Sequence, residues 1–443
     1  MKIGRPVQLP SKAAARFVVL LLTCLAAIAL AAACGGEEGG TATPGGTRTA
    51  TVTATARPAG TVTPAGPVPG ISDTEILLGA EVILSGTFGA VYATLPKSTN
   101  AYFNYINDTE GGVCGRKIVY KMEDNRDDPA VALEVARKLV EQDKVFAMVG
   151  SLGDTPHPAS WEYLNDNGVP DILVSAGGHR FGADPKGHPW TVQMIPSYYI
   201  EGTFFGQYIS QNLPGKKVAA LWENDPVGID GLPGLKRGLD PNKNQLVADE
   251  NYEVTSVSIA SQVANLKKSN AEVVVLFSSP VFTAQAISNA DRLGWHPQWL
   301  MSYINSDDMM FQFVSPELLK GAITFQALKL AAWTDDPAVA RHAELMKKYD
   351  GPTPTNFTIY AQALAEVAVD VLKRSCDNLT REGLMEAVES TKDFHSDLLL
   401  DGINISFSDT DHTALQTAKM LQVTVTDGKG KFEYFGPIFE FQP

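Results

Sequence analysis

Residues 144–181, KVFAMVGSLGDTPHPASWEYLNDNGVPDILVSAGGHRF, constrain the fold more than any other stretch of the chain. Residues 145–149 form a short apolar run rich in β-formers and read as a buried strand. The run ends in GSLGDTPHP, a loop with two glycines and two prolines. Residues 159–165 predict a short helix stopped by Asn167-Gly168. Pro170 then opens a second apolar run, 172–174, which ends in Ser175-Ala176-Gly177-Gly178-His179. Strand, loop, helix, strand, loop is a βαβ unit whose strands run parallel. Parallel neighbours drop their following loops on one edge of the sheet, and free backbone N–H groups at helix starts favour ligands there. Glycine in both loops suits close approach to a ligand, or simply the tight turns common in α/β proteins.

The same alternation runs through the chain. Strands are predicted at 76–84, 118–122 and 190–194, with amphipathic helices at 92–107 and 129–142 between the first of them. That order is the signature of a parallel, doubly wound sheet. A second series, with strands at 217–222, 253–257, 273–277 and 299–302, predicts a second sheet of the same type. Two α/β lobes with strand-end loops facing each other make a cleft. Toward the end come a strand near 322–326, helices at 339–349 and 358–374, and a helix at 379–388 with Thr380 as N-cap. Two runs at 420–426 and 431–434, split by Asp427-Gly428-Lys429-Gly430, read as a hairpin.

The first 70 residues are read apart from the fold. Lys2, Arg5, Lys12 and Arg16 make a basic start, and residues 17–33 are apolar, which describes an export signal over 1–33. Leu30-Ala31-Ala32-Ala33 directly before Cys34 resembles the lipobox of bacterial lipoproteins. That resemblance implies a lipid on Cys34, holding a soluble domain at the outer face of the bacterial cytoplasmic membrane. An ordinary signal cleaved nearby, or an uncleaved anchor, is the alternative. Residues 34–70 are rich in Gly, Thr, Ala and Pro without apolar period and read as a tether. Residues 1–70 carry six Lys or Arg against two Asp or Glu, so the whole-chain charge of −14 leaves −18 on the remainder. Such an acidic domain is a poor nucleic-acid binder. Cys24 falls in the signal; Cys114 and Cys376, in the predicted domain, are either paired or separately buried.

Enzyme motifs are absent: no HExxH, GxSxG, GxxxxGK[ST], or GxGxxG after a strand. The histidines show no metal spacing, so neither metal nor cofactor is expected. The run Glu123-Asp124-Asn125-Arg126-Asp127-Asp128 lacks the glycine of a calcium loop and reads as a solvated acidic loop. What remains is a set of polar and aromatic residues at strand ends. Thr155, Gly177, Gly178 and His179 come from one lobe; Tyr198, Tyr199, Glu223, Asn224, Asp225, Tyr303 and Asn305 come from the other. Hydroxyls and free N–H groups suit an oxygen acceptor, acids and tyrosines suit an ammonium, and rings give apolar contact. A hydrolase on this scaffold would need a nucleophile–base pair, for which only Thr155 or Ser278 near His179 offers itself.

NYINDTEGGVCGRKI at 104–118, EDNRDDPAVALEVARKLVEQDKVFAMVGSLG at 123–153, GVPDILVSAGG at 168–178, KVAALWENDPVGIDGL at 217–232 and LKRSCDNLTREGL at 372–384 carry a family resemblance. In order and spacing they resemble the solute-binding lipoproteins of ABC importers, in the branched-chain amino-acid (Leu/Ile/Val) binding group with the type I periplasmic-binding fold. The resemblance covers nearly all of 75–440. It implies two Rossmann-like lobes joined by a three-strand hinge, with 71–194 plus 322–418 in the first and 195–321 plus 419–443 in the second. Cys114 and Cys376 then share a lobe, which favours a disulfide.

The same resemblance implies a monomer without enzymatic activity that captures a small polar solute by hinge closure and delivers it to a membrane permease. A ligand-sensing receptor or co-receptor domain is the alternative. In the family, a ligand carboxylate is held by the loops that here are Gly153-Asp154-Thr155 and Gly177-Gly178-His179. His179 departs from the usual hydroxyl, Val227 stands where the second lobe supplies an aromatic, and Val91 where an aromatic is common beside Ser85-Gly86-Thr87. Tyr303 replaces the acid that binds an α-amino group, so an amide, a carboxylate without an α-amine, or an aromatic acid fits at least as well as leucine. Glu223 or Asp225 would restore an amine site.

Overall fold

The computed structural model describes residues 67–86 and 88–442. The expected signal, Cys34 and the tether up to residue 66 lie outside these residues, as does Thr87. The first sheet is parallel throughout and has the order β2-β1-β3-β4-β5, from β1 (Glu75–Val82), β2 (Lys117–Asp124), β3 (Ala147–Val149), β4 (Asp171–Val174) and β5 (Thr191–Gln193). β3, β4 and β5 are buried along their whole length; β3 and residues 172–174 of β4 read as short apolar runs, whereas β5 buries Thr191 and Gln193 beside Val192. Helices Thr94–Thr109, Pro129–Arg137 and His157–Asp166 connect them. Pro129 sits in the first turn of its helix, and the Asp128 carboxylate accepts from the N–H groups of Ala130 and Val131 at 2.8 and 3.0 Å.

The second sheet comprises β6 (Lys217–Glu223), β7 (Gln245–Tyr252), β8 (Val273–Phe277), β9 (Gln298–Met301), β10 (Ile323–Gln326), β11 (Thr417–Thr426) and β12 (Lys429–Glu440), in the order β12-β11-β10-β9-β8-β6-β7. β6 to β10 are parallel; β11 and β12 add an antiparallel edge. Asp427 and Gly428 both have positive φ, +51° and +72°, the two-residue turn that matches strand twist in a hairpin. The strand expected at 253–257 is instead β7. As an edge strand β7 is mostly half-exposed, with Tyr252 its one buried residue and its apolar run confined to Leu246-Val247-Ala248, while Val257 lies 94% exposed beyond it. The boundary expected at 322 falls at the start of β10, and β10 is a strand of this second sheet.

Helices Tyr198–Asn212 and Pro226–Gly238 pack on the second sheet almost backbone to backbone. A Cβ on Gly234 would lie 2.2 Å from the Tyr199 carbonyl oxygen. Glycine therefore sets the distance between the two helices, whose first turns carry Tyr198 and follow Asp225. Residues 223–231, charged and punctuated by glycine, suggest a loop, yet the helix starts at Pro226 because Asp225 caps it, accepting from the Val227 N–H at 3.0 Å.

The chain passes between the two cores three times. Met194 belongs to the first and Tyr198 to the second; Phe325 to the second and Ala327 to the first; Leu415 to the first and Ala418 to the second. The long helix Asn356–Arg374, capped by a Thr355/Thr358 capping box, fills the first core. Just past its end, Cys376 is joined to Cys114 by a disulfide with a Cα–Cα distance of 5.4 Å.

Candidate functional site

The C-terminal ends of both sheets open on one cleft that encloses about 1100 Å³ and is open to solvent. Its walls come from the loops after β1, β2, β3 and β4 on one side and after β6, β8, β9 and β10 on the other. Seven aromatic rings line it: Phe88, Tyr92, Tyr198, Tyr303, Phe325, Phe357 and Tyr360. Four carboxylates do too: Asp127, Asp154, Glu223 and Asp225. Among the described lining residues there is no Lys, Arg or His.

A buried charge network holds the first-lobe loops. His157 lies between Glu81 (Nδ1 to Oε1, 2.8 Å) and Asp171 (Nε2 to Oδ2, 2.9 Å), and all three side chains are fully buried. Burial alone would lower the His157 pKa, but Asp171 and Glu81 outweigh it and hold it up to about 10. Asn125 donates to Glu81 and to the Leu152 carbonyl, which ties the loop after β2 to the loop after β3. These ties place Asp127, at φ +58°, and Asp154 in the cleft wall.

Asp154 occupies the position expected to receive a ligand's carboxylate. Its Oδ1 accepts from the Gly178 N–H at 3.0 Å and its Oδ2 from the Tyr198 hydroxyl at 2.7 Å. The glycine of the second loop serves this arrangement: a Cβ on Gly177 would lie 2.4 Å from the Tyr198 ring. Burial raises the Asp154 carboxyl, these donors pull it back, and it rests at about 6. Asp127 is likewise pushed up to about 6, by burial and by the charges of Asp154 and Glu223.

From the second lobe, Glu223 Oε1 accepts three bonds: from Ser279 N–H (3.0 Å), Ser279 Oγ (2.6 Å) and Tyr252 hydroxyl (3.0 Å). Burial raises its pKa, as it does that of Asp225, which Glu223 and Asp154 push further. Tyr303 donates through its hydroxyl to the Pro196 carbonyl at 2.9 Å and stacks on Tyr198 with centroids 5.8 Å apart. Burial, then the fields of Glu223, Asp154, Asp127 and Asp225, push the Tyr92 hydroxyl far up, so all four acids act on one spot.

Of the residues singled out from sequence, Thr155, Tyr198, Glu223, Asp225 and Tyr303 line the cleft. Gly177, Gly178, His179, Tyr199 and Asn305 are absent from its lining. His179 Nδ1 lies 3.0 Å from Ser197 Oγ and its ring stacks on Tyr199, so it is not bonded to Thr155 or Ser278. Its backbone N–H donates to Asp230 at 2.8 Å. Asn305 donates to the Ser278 and Ser302 carbonyls and braces the loop after β9. Val91 is buried outside the cleft, and Tyr92 beside it supplies a ring. The run 123–128 is corrected as well: it is not only a solvated loop, because Asp127 turns into the cleft. Phe357 and Tyr360, from the first turns of the long helix, were not singled out from sequence.

The family model for periplasmic binding proteins matches residues 75–430. A Leu/Ile/Val-binding protein homolog 1 from Brucella abortus is 24% identical over 316 residues, 71% of this chain and 82% of that protein. Among solved structures, a fatty acid ABC transporter substrate-binding protein from Thermomonospora curvata aligns with TM-score 0.71 and 22% identity, over 85% of this chain and 95% of that one. A branched-chain amino acid ABC transporter protein from Thermus thermophilus with bound valine aligns with TM-score 0.72 and 16% identity, over 83% and 96%. The chain belongs to the periplasmic binding protein family, a family of extracytoplasmic solute-binding proteins.

Proposed function

We propose that this periplasmic binding protein is the solute-capturing component of an ABC importer. One observation carries the reading: both lobes contribute loops to the cleft between the described sheets, so a ligand there touches both at once. Such a ligand favours the state in which the lobes are together, and the three crossings at 194–198, 325–327 and 415–418 are the segments about which they would close. A membrane permease then reads the closed state. The Cys114–Cys376 disulfide supports an oxidising compartment. Among the described residues no helix is long and apolar enough to cross a membrane. Attachment through a lipid on Cys34, with the domain acting as a monomer on its tether, completes the reading. Native mass spectrometry of the gently purified full chain, followed by denaturation and identification of released small molecules, tests it. A stoichiometric small solute is expected. An empty protein that shows no compaction by small-angle scattering with any solute of a broad screen would overturn it.

A further inference from the structure

Resting on that reading of the cleft, we propose that the solute is an organic cation: one or more ammonium groups on an apolar body, with no carboxylate. Most side-chain donors that a carboxylate would need are already spent, the hydroxyls of Thr155 and Tyr92 being exceptions among the described lining residues. Tyr198 donates to Asp154, Tyr303 to the Pro196 carbonyl and Ser279 to Glu223. Gln326 donates to Ser306 Oγ and Asn356 to the Ser306 carbonyl. The Gly178 N–H is held by the protein's own Asp154. A carboxylate entering the cleft meets four acids and no cationic side chain among the described residues.

A cation meets the reverse. Glu223 is 2% exposed, yet its three donors all go to Oε1 and none among the described residues goes to Oε2. Glu223 lines the cleft, so its Oε2 is left as an acceptor for a donor that enters there. Asp225 uses Oδ1 for its helix cap, accepting from the Val227 N–H, and receives no side-chain donor among the described residues. The Asp127 carboxylate accepts no hydrogen bond at all among the described residues, although its φ of +58° holds it at the cleft. Next to these acceptors Phe88, Tyr92 and Phe357 form a run of rings with centroids 6.2 and 5.9 Å apart, a surface for the apolar body and for cation–π contact. More than one unfilled acid favours a ligand with more than one positive charge.

Isothermal titration of the purified full chain with three matched probes tests the assignment: 3-methylbutan-1-amine, leucine, which adds a carboxylate to it, and 4-methylpentanoate, which removes the amine. A diamine, 1,5-diaminopentane, is added as a fourth. The amines are expected to bind, leucine roughly tenfold or more weakly than 3-methylbutan-1-amine, and 4-methylpentanoate not at all. Glu223→Gln and Asp127→Asn should each weaken amine binding by roughly tenfold. The Asp127 variant should do so without lowering the unfolding temperature, since no folded-state hydrogen bond is lost. Tighter binding of leucine or 4-methylpentanoate than of the amine overturns the cation assignment and leaves solute capture intact. Binding of no probe, with a non-cationic solute released from the native protein, does the same. An amine whose affinity neither variant changes also overturns it.

Discussion

Beneath the first sheet, Glu81 and Asp171 are sealed from solvent on either side of a protonated His157; beneath the second, Glu201 and Glu223 are sealed with no cationic side chain bonded to either. Glu201 accepts from Ser302 Oγ at 3.0 Å and from the Tyr303 N–H at 2.6 Å, and burial still pushes it up to about 8. For Glu81 and Asp171 the first lobe thus supplies its own counter-charge, and these two acids become scaffolding for the loops they tie. The second lobe leaves its acids to be neutralised by something else: a proton for Glu201, and on our proposal a ligand for Glu223. The pairing partner, more than the burial of the acid, separates a structural carboxylate from a binding one.

The sharpest way to break this contrast is to remove the partner. His157→Ala leaves two fully buried acids unpaired and should cost about 3–5 kcal/mol in denaturant unfolding; a loss under about 1 kcal/mol would show that the network is not needed. A smaller effect is expected from Glu201→Gln, read as a function of pH. A carboxyl whose folded pKa is raised contributes its full stability below its ordinary value near 4.5 and loses it as pH rises through about 8. The parent protein should therefore lose stability across that window relative to the variant, which should be the more stable of the two at pH 8.5 by roughly 1–3 kcal/mol. Parallel pH profiles for the two proteins would remove Glu201 from the contrast. Gly177→Ala should cost roughly 1–2 kcal/mol, because the new Cβ drives the Tyr198 ring off Asp154. An unchanged unfolding temperature and ligand affinity would show that the ring can move freely. The mildest effect sharpens the ligand side. Asp127 and Asp154 both rest near 6, so amine affinity should rise a few-fold, by rough estimate, between pH 5.5 and 8 as they ionise. Affinity that falls over that range would point to an anionic solute.

Much of the fold was legible because buried parallel strands and amphipathic helices leave different periods in a sequence. The edge strand Gln245–Tyr252 was not, since it is mostly half-exposed and its polar second half, Asp249-Glu250-Asn251, resembles a loop. The site divided along another line. Glu223 ends β6, and Asp225 and Thr155 lie in the loops after β6 and β3, and position at a strand's end is visible in sequence. Asp127 was read as surface because nothing in EDNRDD reports that Asn125 is pulled inward by Glu81, more than forty residues earlier. The glycines of the loop after β4 were rightly noticed as points of close approach. What approaches Gly177 is the ring of Tyr198, which reaches the loop only after the chain has crossed into the second lobe.

The three crossings between cores also fix an order of assembly. Residues 198–325 contribute only to the second lobe's cores, whereas the helix Asn356–Arg374 that fills the first core emerges long after the strands it covers. A chain delivered from its N-terminus therefore presents five finished strands with a missing centre. It can complete the parallel part of the second sheet in the meantime, and seals the first only when its last hundred residues or so arrive. The Cys114–Cys376 cross-link, spanning 262 residues, can form only at that final step and so records its completion.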